Sequence, residues 1–228
     1  MDNYIFLHFK DLNKQQQYIR KNLNRILDLL TICFPIQNPI NHIVSQTIYK
    51  DIINSELDNQ WYFVLNTNQL IIGLCYIHKE LQCTHVTEKD LIDQFEFYNI
   101  NNLTGWPVRI YQQNTTIGPE ISTLCKDPNY KNVGRFLLDN ILKDLKNTYR
   151  TVYLVPESIY YKDNYGVFVL HDYCHFPEGV IKYNEANKKL IKYYQSVGFE
   201  IMSDLFIFER CNREDRNYNI LNIMYMDL

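Results

Sequence analysis

Residues 120–140 of this chain, EISTLCKDPNYKNVGRFLLDN, predict a strand, a tight polar turn and an amphipathic helix in immediate succession. Side chains alternate from Ile121 to Cys125 as they do in a strand, and Pro128 ends it because proline lacks the amide that a sheet ladder needs. From Val133 onward, apolar residues recur at helical spacing, which predicts one buried helix face. They are Gly134, Leu137, Leu138, Ile141, Leu142 and Leu145.

The junction between this strand and this helix is suited to bind an anion. The first turn of a helix leaves amide N–H groups without partners, and the helix dipole adds partial positive charge there. A phosphate at that end is therefore bound largely by backbone. Lys131 and Arg135 lie close enough in sequence to add charge.

Length and composition predict a single domain over residues 1–228. The chain is 46% hydrophobic and 21% charged, which is ample for one core. The formal net charge is -3 and the pI about 6.1, so the whole chain does not attract nucleic acid, and a cationic small substrate fits better. No basic N-terminal region precedes an apolar run, and no run approaches the ~18 apolar residues of a membrane span. We expect a soluble, intracellular, cytoplasmic protein that binds neither nucleic acid nor membrane.

Cysteine usage predicts free thiols. The six cysteines are widely spaced, and no Cys-x-x-Cys pair occurs among them. Several lie in apolar runs, where a free thiol packs as a small hydrophobe. We therefore expect all six to be reduced; they are Cys33, Cys75, Cys83, Cys125, Cys174 and Cys211.

The rest of the chain predicts further strands and helices around the central unit. Two apolar runs joined by the turn at 66–69 predict a hairpin, whose second arm is too continuously apolar to be half exposed. In chain order the predicted elements are a strand at Tyr4–Phe9, helices at Asn13–Cys33 and Ile43–Leu57, hairpin strands at Trp61–Leu65 and Leu70–Ile77, a strand at Thr151–Val155, and two final strands at Ile201–Glu209 and Ile220–Met226.

Two less regular segments, at about 80–117 and 159–182, are predicted elaborations of the domain. In the first, 87–97 predicts a short helix and 108–111 an extra strand, and its acidic residues suit either a lid over a cationic substrate or a solvated helix face. In the second, predicted as irregular, His171, Cys174 and His175 are of metal-ligand type. They have no fourth ligand at a recognisable spacing, so we expect no metal site and favour packing or aromatic substrate contacts.

A second informative run, NEANKKLIKYYQSVGF at 184–199, predicts another amphipathic helix that ends at Gly198. Two adjacent stripes are formed by Ala186, Leu190, Tyr193 and Val197, and by Asn187, Ile191 and Tyr194. Asn187 and Tyr194 are about 10 Å apart along the helix axis. One helix face can therefore touch one ligand at two points.

These two runs resemble the GCN5-related N-acetyltransferase (GNAT) superfamily. The cofactor loop of that family is Gln/Arg-x-x-Gly-x-Gly/Ala between the fourth strand and the third helix, and here it corresponds to Asn129-Tyr-Lys-Asn-Val-Gly134. Asn132 replaces the first glycine and tolerates positive φ, whereas Asn129 in place of Gln/Arg is a larger departure. The second run is similar to the family's fourth helix, with Asn187 toward coenzyme A and Tyr194 toward the thioester sulfur.

The resemblance implies an α/β (mixed α+β) fold with a central mixed, mostly antiparallel twisted sheet of about seven strands flanked by helices. It also implies that two parallel central strands, at 120–126 and 151–155, splay apart and hold the cofactor, acetyl-CoA (coenzyme A), between them. Backbone amides near Leu124 and Cys125 would pair with the pantetheine arm, and the loop and helix start would bind the pyrophosphate. The implied cofactor-binding residues are Leu124, Cys125, Asn129, Lys131, Asn132, Val133, Gly134, Arg135 and Asn187.

Family chemistry implies direct attack of an amine on the thioester, with Tyr194 as the acid that protonates the leaving thiolate. With reference pKa values near 10 and 8.5, that transfer is uphill by ~2 kcal/mol. Deprotonating an alkyl amine at pH 7 costs about 4.6 kcal/mol, against ~1 kcal/mol for an α-amine. Glu120 and Glu157 are the candidate general bases, or else exposed strand-end acids. The histidines form no recognisable triad with Ser or Cys and Asp, so hydrolase chemistry has no support.

The resemblance implies one function, and the departures from the family's pattern suggest another. The first is an acyltransferase that moves the acetyl group of acetyl-CoA to a primary amine of a small molecule or peptide. The alternative is a non-catalytic acyl-CoA-binding or protein-interaction module on the same fold, which the altered cofactor loop suggests. The sequence does not identify the acceptor amine, and it leaves a homodimer open.

Overall fold

The structure, a computed structural model, describes residues 3–34, 42–85, 114–156, 160–162, 168–170, 188–210 and 218–228. Within these ranges, no helix is both long and apolar enough to cross a membrane. The described helices are α1 (Leu12–Lys21), α2 (Leu23–Cys33), α3 (His42–Ser55), α4 (Val133–Leu145) and α5 (188–197).

One mixed sheet contains nine of the described strands, in the order β1-β2-β3-β6-β7-β11-β10-β4-β5. Among the described pairs, β6 and β7 run parallel and all the others are antiparallel. Strands β8 and β9 form a separate two-stranded sheet. The strands are β1 (Ile5–His8), β2 (Gln60–Leu65), β3 (Ile71–His78), β4 (Leu81–His85), β5 (Asn114–Ile117), β6 (Glu120–Lys126), β7 (Thr151–Leu154), β8 (Tyr160–Lys162), β9 (Phe168–Leu170), β10 (Glu200–Arg210) and β11 (Tyr218–Asp227).

The predicted mixed, mostly antiparallel sheet with helices is confirmed. It has nine described strands, where about seven were expected, because β4 and β5 of the first elaboration extend its far edge. In the second elaboration, β8 and β9 correct the expectation of an irregular segment. The helix predicted at 87–97 and the strand at 108–111 lie outside the described residues.

Helices cover both faces of the sheet, and this explains the long apolar runs of β2 and β3. On one face, α4 and α5 pack over a core that includes Tyr62 and Val64. On the other face, the first three helices pack over a core that includes Trp61 and Phe63. Successive residues of β2 therefore enter different cores, so neither set of side chains can be polar.

The helix predicted at Asn13–Cys33 is in fact two helices, α1 and α2, which meet at Asn22. The side-chain amide of Asn22 donates to the carbonyl of Tyr18 at 2.9 Å, and its backbone N–H donates to the carbonyls of Tyr18 and Ile19. Asparagine competes for backbone groups in this way and so ends a helix. The apolar spacing continues through the break, which is why the periodicity predicted one helix.

A disulfide between Cys33 and Cys125 joins α2 to β6, and it corrects the expectation that all six cysteines are reduced. The two residues are 92 positions apart, so their spacing gave no sign of the pairing. Among the described side chains, Cys75 is a free and buried thiol. The covalent link fixes the central strand to the helical layer beneath it.

Replacing Cys33 with Ser should lower the free energy of unfolding by about 2–4 kcal/mol under oxidising conditions, because the crosslink restricts the unfolded chain. Denaturant unfolding of both proteins measures this difference. In excess dithiothreitol the two proteins should unfold at nearly the same denaturant concentration. Equal stability in the absence of reductant would show that the bond does not form in solution.

Candidate functional site

The central strands β6 and β7 separate part of the way along their length. Their ladder consists of two pairs, Glu120–Tyr153 and Ile121–Leu154. On its other side, β6 stays paired with β3 over six residue pairs. From Ser122 onward, β6 therefore has a neighbour on one side and a cleft on the other, as the predicted splaying requires.

A bulge in β6 gives a physical reason for this separation. Across from β3, Ile121 pairs with Ile77 and Thr123 pairs with Tyr76, so Ser122 is an extra residue in the ladder. Such a bulge bends its strand and increases the local twist. The side chains of Ser122 and Thr123 hydrogen-bond with Tyr76 and hold the bulge in place.

Asp127 shapes the loop that leaves β6. Its carboxylate accepts a hydrogen bond from Arg25 at 2.7 Å and another from the backbone N–H of Asn129 at 3.0 Å. Burial raises the pKa of Asp127, but these hydrogen bonds together lower it by more than burial raises it. The pKa of Asp127 therefore lies below its ordinary value. Arg25 also donates to the carbonyl of Ile71. One ion pair thus fixes the loop against β3.

The start of α4, which follows the loop that leaves β6, is the candidate anion-binding end. Asn132 precedes the helix with φ +60°, and its side chain makes no capping hydrogen bond. Asn132 therefore adopts the positive φ that asparagine was expected to tolerate at this position. The first turn contains no acidic residue, and Val133 and Gly134 are buried. These amides, together with the helix dipole, suit a phosphate.

A close approach to β3 presses this helix end onto the sheet. A Cβ at Gly73 would lie 2.7 Å from Cγ1 of Val133, so a larger residue would push the helix away. By contrast, a Cβ at Gly134 would make only ordinary contacts, at 3.6 Å to Lys126 and 3.7 Å to Leu124. Packing within the protein therefore requires glycine at position 73 and does not require it at position 134.

The two predicted cationic residues of this loop are exposed. Lys131 has its carbonyl fixed by the Tyr4 hydroxyl at 2.8 Å. Arg135 donates to Asp139 at 2.9 Å, with side chains 48% and 40% exposed. An exposed pair of this kind contributes about 0.3–0.5 kcal/mol, so it does not prevent Arg135 from turning toward an anion.

Replacing Asn132 with Val should lower the free energy of unfolding by about 1–2 kcal/mol, because a β-branched residue is strained at positive φ. Asn132→Gly should be at least as stable as the natural protein. The same change at an exposed residue without positive φ, Asn68→Val, is the control. Equal stability of the two valine variants would argue against the left-handed conformation.

Tyr194 lies on α5, on the same face of the sheet as α4. Its ring packs in the first core and meets Phe199 edge-on with centroids 5.8 Å apart. Burial, with smaller effects from Cys75 and Tyr193, raises the pKa of its hydroxyl, so the phenol stays protonated at neutral pH. Cys75, one of the groups that influence this pKa, is directly opposite Leu124 of β6.

Glu120 lies on the opposite face of the sheet from Tyr194. It is directly across from His78 of β3, and its carboxylate is 3.0 Å from the imidazole Nδ1. The other imidazole nitrogen is 3.0 Å from Glu56, which follows α3. Sequence patterns gave no sign of His78 or Glu56; only the register between β3 and β6 brings them to Glu120.

The structure thus places most of the predicted residues along or next to the part of β6 that β7 leaves unpaired. Leu124 and Cys125 lie in that part of β6, the loop and helix start from 129 to 135 follow it along the chain, and Tyr194 packs against the core on the α4 face of the sheet. The Cys125 side chain is bonded to Cys33 on the helical side, so its part in the cleft is limited to backbone. Two predicted residues, Glu157 and Asn187, lie outside the described residues.

A separate cavity of about 480 Å³ lies at the other end of α4, between that helix and β1. It is lined by His8 and Asp144, whose side chains are 3.2 Å apart, and by Tyr149. The length of α4 puts this cavity about 18 Å from the anion-binding end. No group of residues suited to hold a metal ion occurs in the described part of the chain; His171, Cys174 and His175 lie outside it.

No protein-family model matches this sequence, and no curated protein matches it. Solved structures do. A Corynebacterium glutamicum protein described as histone acetyltransferase HPA2 and related acetyltransferase has a TM-score of 0.53 over 100% of this chain and 97% of its own, at 10% identity. An N-acetyltransferase from Staphylococcus aureus Mu50 has a TM-score of 0.45 over 99% and 98%, at 13% identity. PH1933 from Pyrococcus horikoshii OT3 has a TM-score of 0.47 over 99% of each chain, at 13% identity.

The first of these similarities shows the fold, and the two with a TM-score below 0.5 carry no further conclusion. The chain has the fold of the GCN5-related N-acetyltransferases: a mixed sheet whose parallel central strands separate below a helix N-terminus. The fold that the resemblance implied is thereby confirmed.

Proposed function

We propose that this protein is an N-acetyltransferase that transfers the acetyl group of acetyl-CoA directly to a primary amine of a small molecule or peptide. The observation that carries this proposal is the cleft that opens after Ile121 between β6 and β7, with the uncapped start of α4 at its open end. A long ligand with a phosphate at one end and a reactive group at the other fits such an arrangement.

The residues present suit coenzyme A. The helix start at Val133 and Gly134, the missing cap of Asn132 and the exposed Lys131 favour a pyrophosphate. Strand β6 offers backbone groups to an amide-bearing arm along the cleft, since β7 does not take them. When bound, acetyl-CoA supplies an activated acetyl group with a thiolate as its leaving group.

On the α5 side of the sheet, Tyr194 is a protonated phenol and can act as a proton donor. Burial raises its pKa, so the hydroxyl keeps its proton at neutral pH, and the transfer to a thiolate is more uphill than the ~2 kcal/mol expected for an unperturbed phenol. Tyr194 is therefore the residue that we assign to protonate the leaving group.

Direct attack by the amine fits the described cysteines. Cys75 is fully buried, and burial raises the pKa of its thiol, so a thiolate nucleophile does not form there. Cys125 is bonded to Cys33. Glu120, on the opposite face from Tyr194, is the described candidate for the residue that takes the amine proton.

Calorimetry with acetyl-CoA and an assay of thiol release with a panel of primary amines test this proposal together. Binding with thiol release supports the acetyltransferase. Binding without release from any amine would favour the alternative, a non-catalytic acyl-CoA-binding module. If no binding is detected at millimolar acetyl-CoA, the cofactor cleft and both functions built on it are refuted.

Gly134→Ala separates cofactor binding from folding. The added Cβ meets only ordinary contacts, and alanine favours a helix, so stability should rise by about 0.5–1 kcal/mol. If phosphate lies against this turn, the Kd for acetyl-CoA should rise about tenfold or more, since one charge-assisted hydrogen bond contributes about 1.5–3 kcal/mol. Lys143→Ala, on an exposed turn further along α4, is the control for calorimetry. Unchanged affinity in Gly134→Ala would place the phosphate elsewhere.

Tyr194→Phe removes the proposed proton donor and keeps the ring. We expect kcat to fall by about 10²- to 10⁴-fold with little change in the KM for acetyl-CoA, because the hydroxyl acts mainly in the transition state. The adjacent Tyr193→Phe is a matched control, since its exposed side chain lies on the same helix. A normal kcat in Tyr194→Phe, with chemistry rate-limiting, would leave the residue a packing role.

A further inference from the structure

An imidazole held between two carboxylates lies beside the proposed site. The Nδ1 atom of His78 is 3.0 Å from Oε2 of Glu120, and its Nε2 atom is 3.0 Å from Oε2 of Glu56. The three side chains come from three elements, since Glu56 follows α3, His78 ends β3 and Glu120 begins β6. Their side chains are 14–32% exposed, so the group is ordered by packing and still reaches solvent.

The two short contacts define the protonation state of the group formed by Glu56, His78 and Glu120. Each nitrogen–oxygen contact of hydrogen-bond length needs one shared proton, and an ionised carboxylate has none to give. Two contacts therefore need two protons. With both carboxylates ionised, both protons are on His78, which donates at each end as an imidazolium. In this state one oxygen of Glu120 is fixed in direction by a charge-assisted hydrogen bond.

The position of Glu120 gives this arrangement a consequence for catalysis. Its backbone forms one of the two pairs that close the cleft between β6 and β7. Its side chain lies on the face of the sheet opposite Tyr194, where an amine can approach as the thiolate leaves toward the other face. We propose that His78 is a positioning residue, itself held by Glu56, that fixes Glu120 to take the proton of the acceptor amine.

This inference rests on the proposed acetyl transfer, and its protons balance. The acceptor ammonium first gives one proton to Glu120. The neutral nitrogen then forms the C–N bond while the C–S bond breaks, and Tyr194 protonates the departing thiolate. The second proton lost from nitrogen replaces the one that Tyr194 gave. The net proton leaves through Glu120 to solvent.

The hydrogen bond by which His78 orients Glu120 depends on pH. The hydrogen bond to Glu120 raises the pKa of His78 most, burial opposes it, and Glu56 adds to the rise, so the pKa lies above its ordinary value. The groups that face the imidazole are Glu120, Glu56 and the Tyr76 ring. The imidazolium is therefore intact below the ordinary pKa and is lost as pH rises through the raised one.

Two substitutions of His78 separate positioning from packing. His78→Phe removes both donors, and kcat with acetyl-CoA and the best amine of the panel should fall about 10²-fold at pH 6, as expected for a misplaced catalytic group. His78→Asn places an amide N–H near the Nδ1 position, keeps the link to Glu120 and should recover at least about tenfold of that loss. His8→Phe, which removes a half-buried imidazole beside Asp144 at the other cavity, should leave kcat unchanged.

The pH dependence of kcat distinguishes a positioning role of His78 from a packing role. The ratio of kcat in the natural protein to kcat in His78→Phe should be largest near pH 6 and shrink toward one by about pH 9. The reason is that deprotonation of the imidazolium removes the hydrogen bond that orients Glu120 in the natural protein. A ratio that stays constant over this range, or a normal kcat in His78→Phe, overturns the inference while the proposed function stands. No thiol release from the natural protein with any amine ends the proposed function, and this inference with it.

If His78→Phe does not fold, Glu56→Gln provides a second test of the same arrangement. The glutamine retains the shape of the side chain and removes the charge that holds Nε2. An NMR titration of the His78 imidazole should then show its pKa moving back toward the ordinary value, and kcat at pH 6 should fall in parallel. An unchanged titration in Glu56→Gln would refute the assigned arrangement whatever the activity.

Discussion

The separation of β6 from β7 after two residue pairs is the constraint on which the rest of this structure depends. A strand inside a sheet normally has all its backbone groups paired, because unpaired buried groups are costly. Here the bulge at Ser122 turns β6 away from its parallel neighbour while β3 keeps its other side paired. The fold thereby leaves the backbone groups on one side of its central strand without a partner in β7.

The open end of that cleft is held by contacts outside it. The ion pair of Asp127 with Arg25 ties the loop to α2, the contact of Gly73 with Val133 lets α4 settle on β3, and Asn132 takes the left-handed turn into the helix. These contacts fix the position of the helix start, where the side chain of Asn132 makes no capping hydrogen bond. A phosphate would then meet amides that need no rearrangement, which is the source of affinity in a preorganised site.

The two faces of the sheet divide the proposed chemistry. Tyr194 belongs to the α4 and α5 face, in apolar surroundings that keep a phenol protonated. Glu120 belongs to the opposite face, where its contact with His78, itself in contact with Glu56, holds the Glu120 carboxylate in a fixed direction. In this proposal Glu120 takes a proton from the amine on one face, and Tyr194 gives a proton to the thiolate on the other. The sheet between them keeps Glu120 and Tyr194 from exchanging a proton directly.

The sequence by itself determined the strand, turn and helix at 120–140, the hairpin of β2 and β3, the final strands and the positive φ of Asn132, because local periodicity and residue type express these directly. It could also have pointed to Gly73, since glycine in an apolar strand often marks a close backbone approach. Only the tertiary structure decided the edge strands β4 and β5, the bond between Cys33 and Cys125, and the group formed by Glu56, His78 and Glu120. These depend on strand register and on contacts between residues far apart in the chain, which no local pattern encodes.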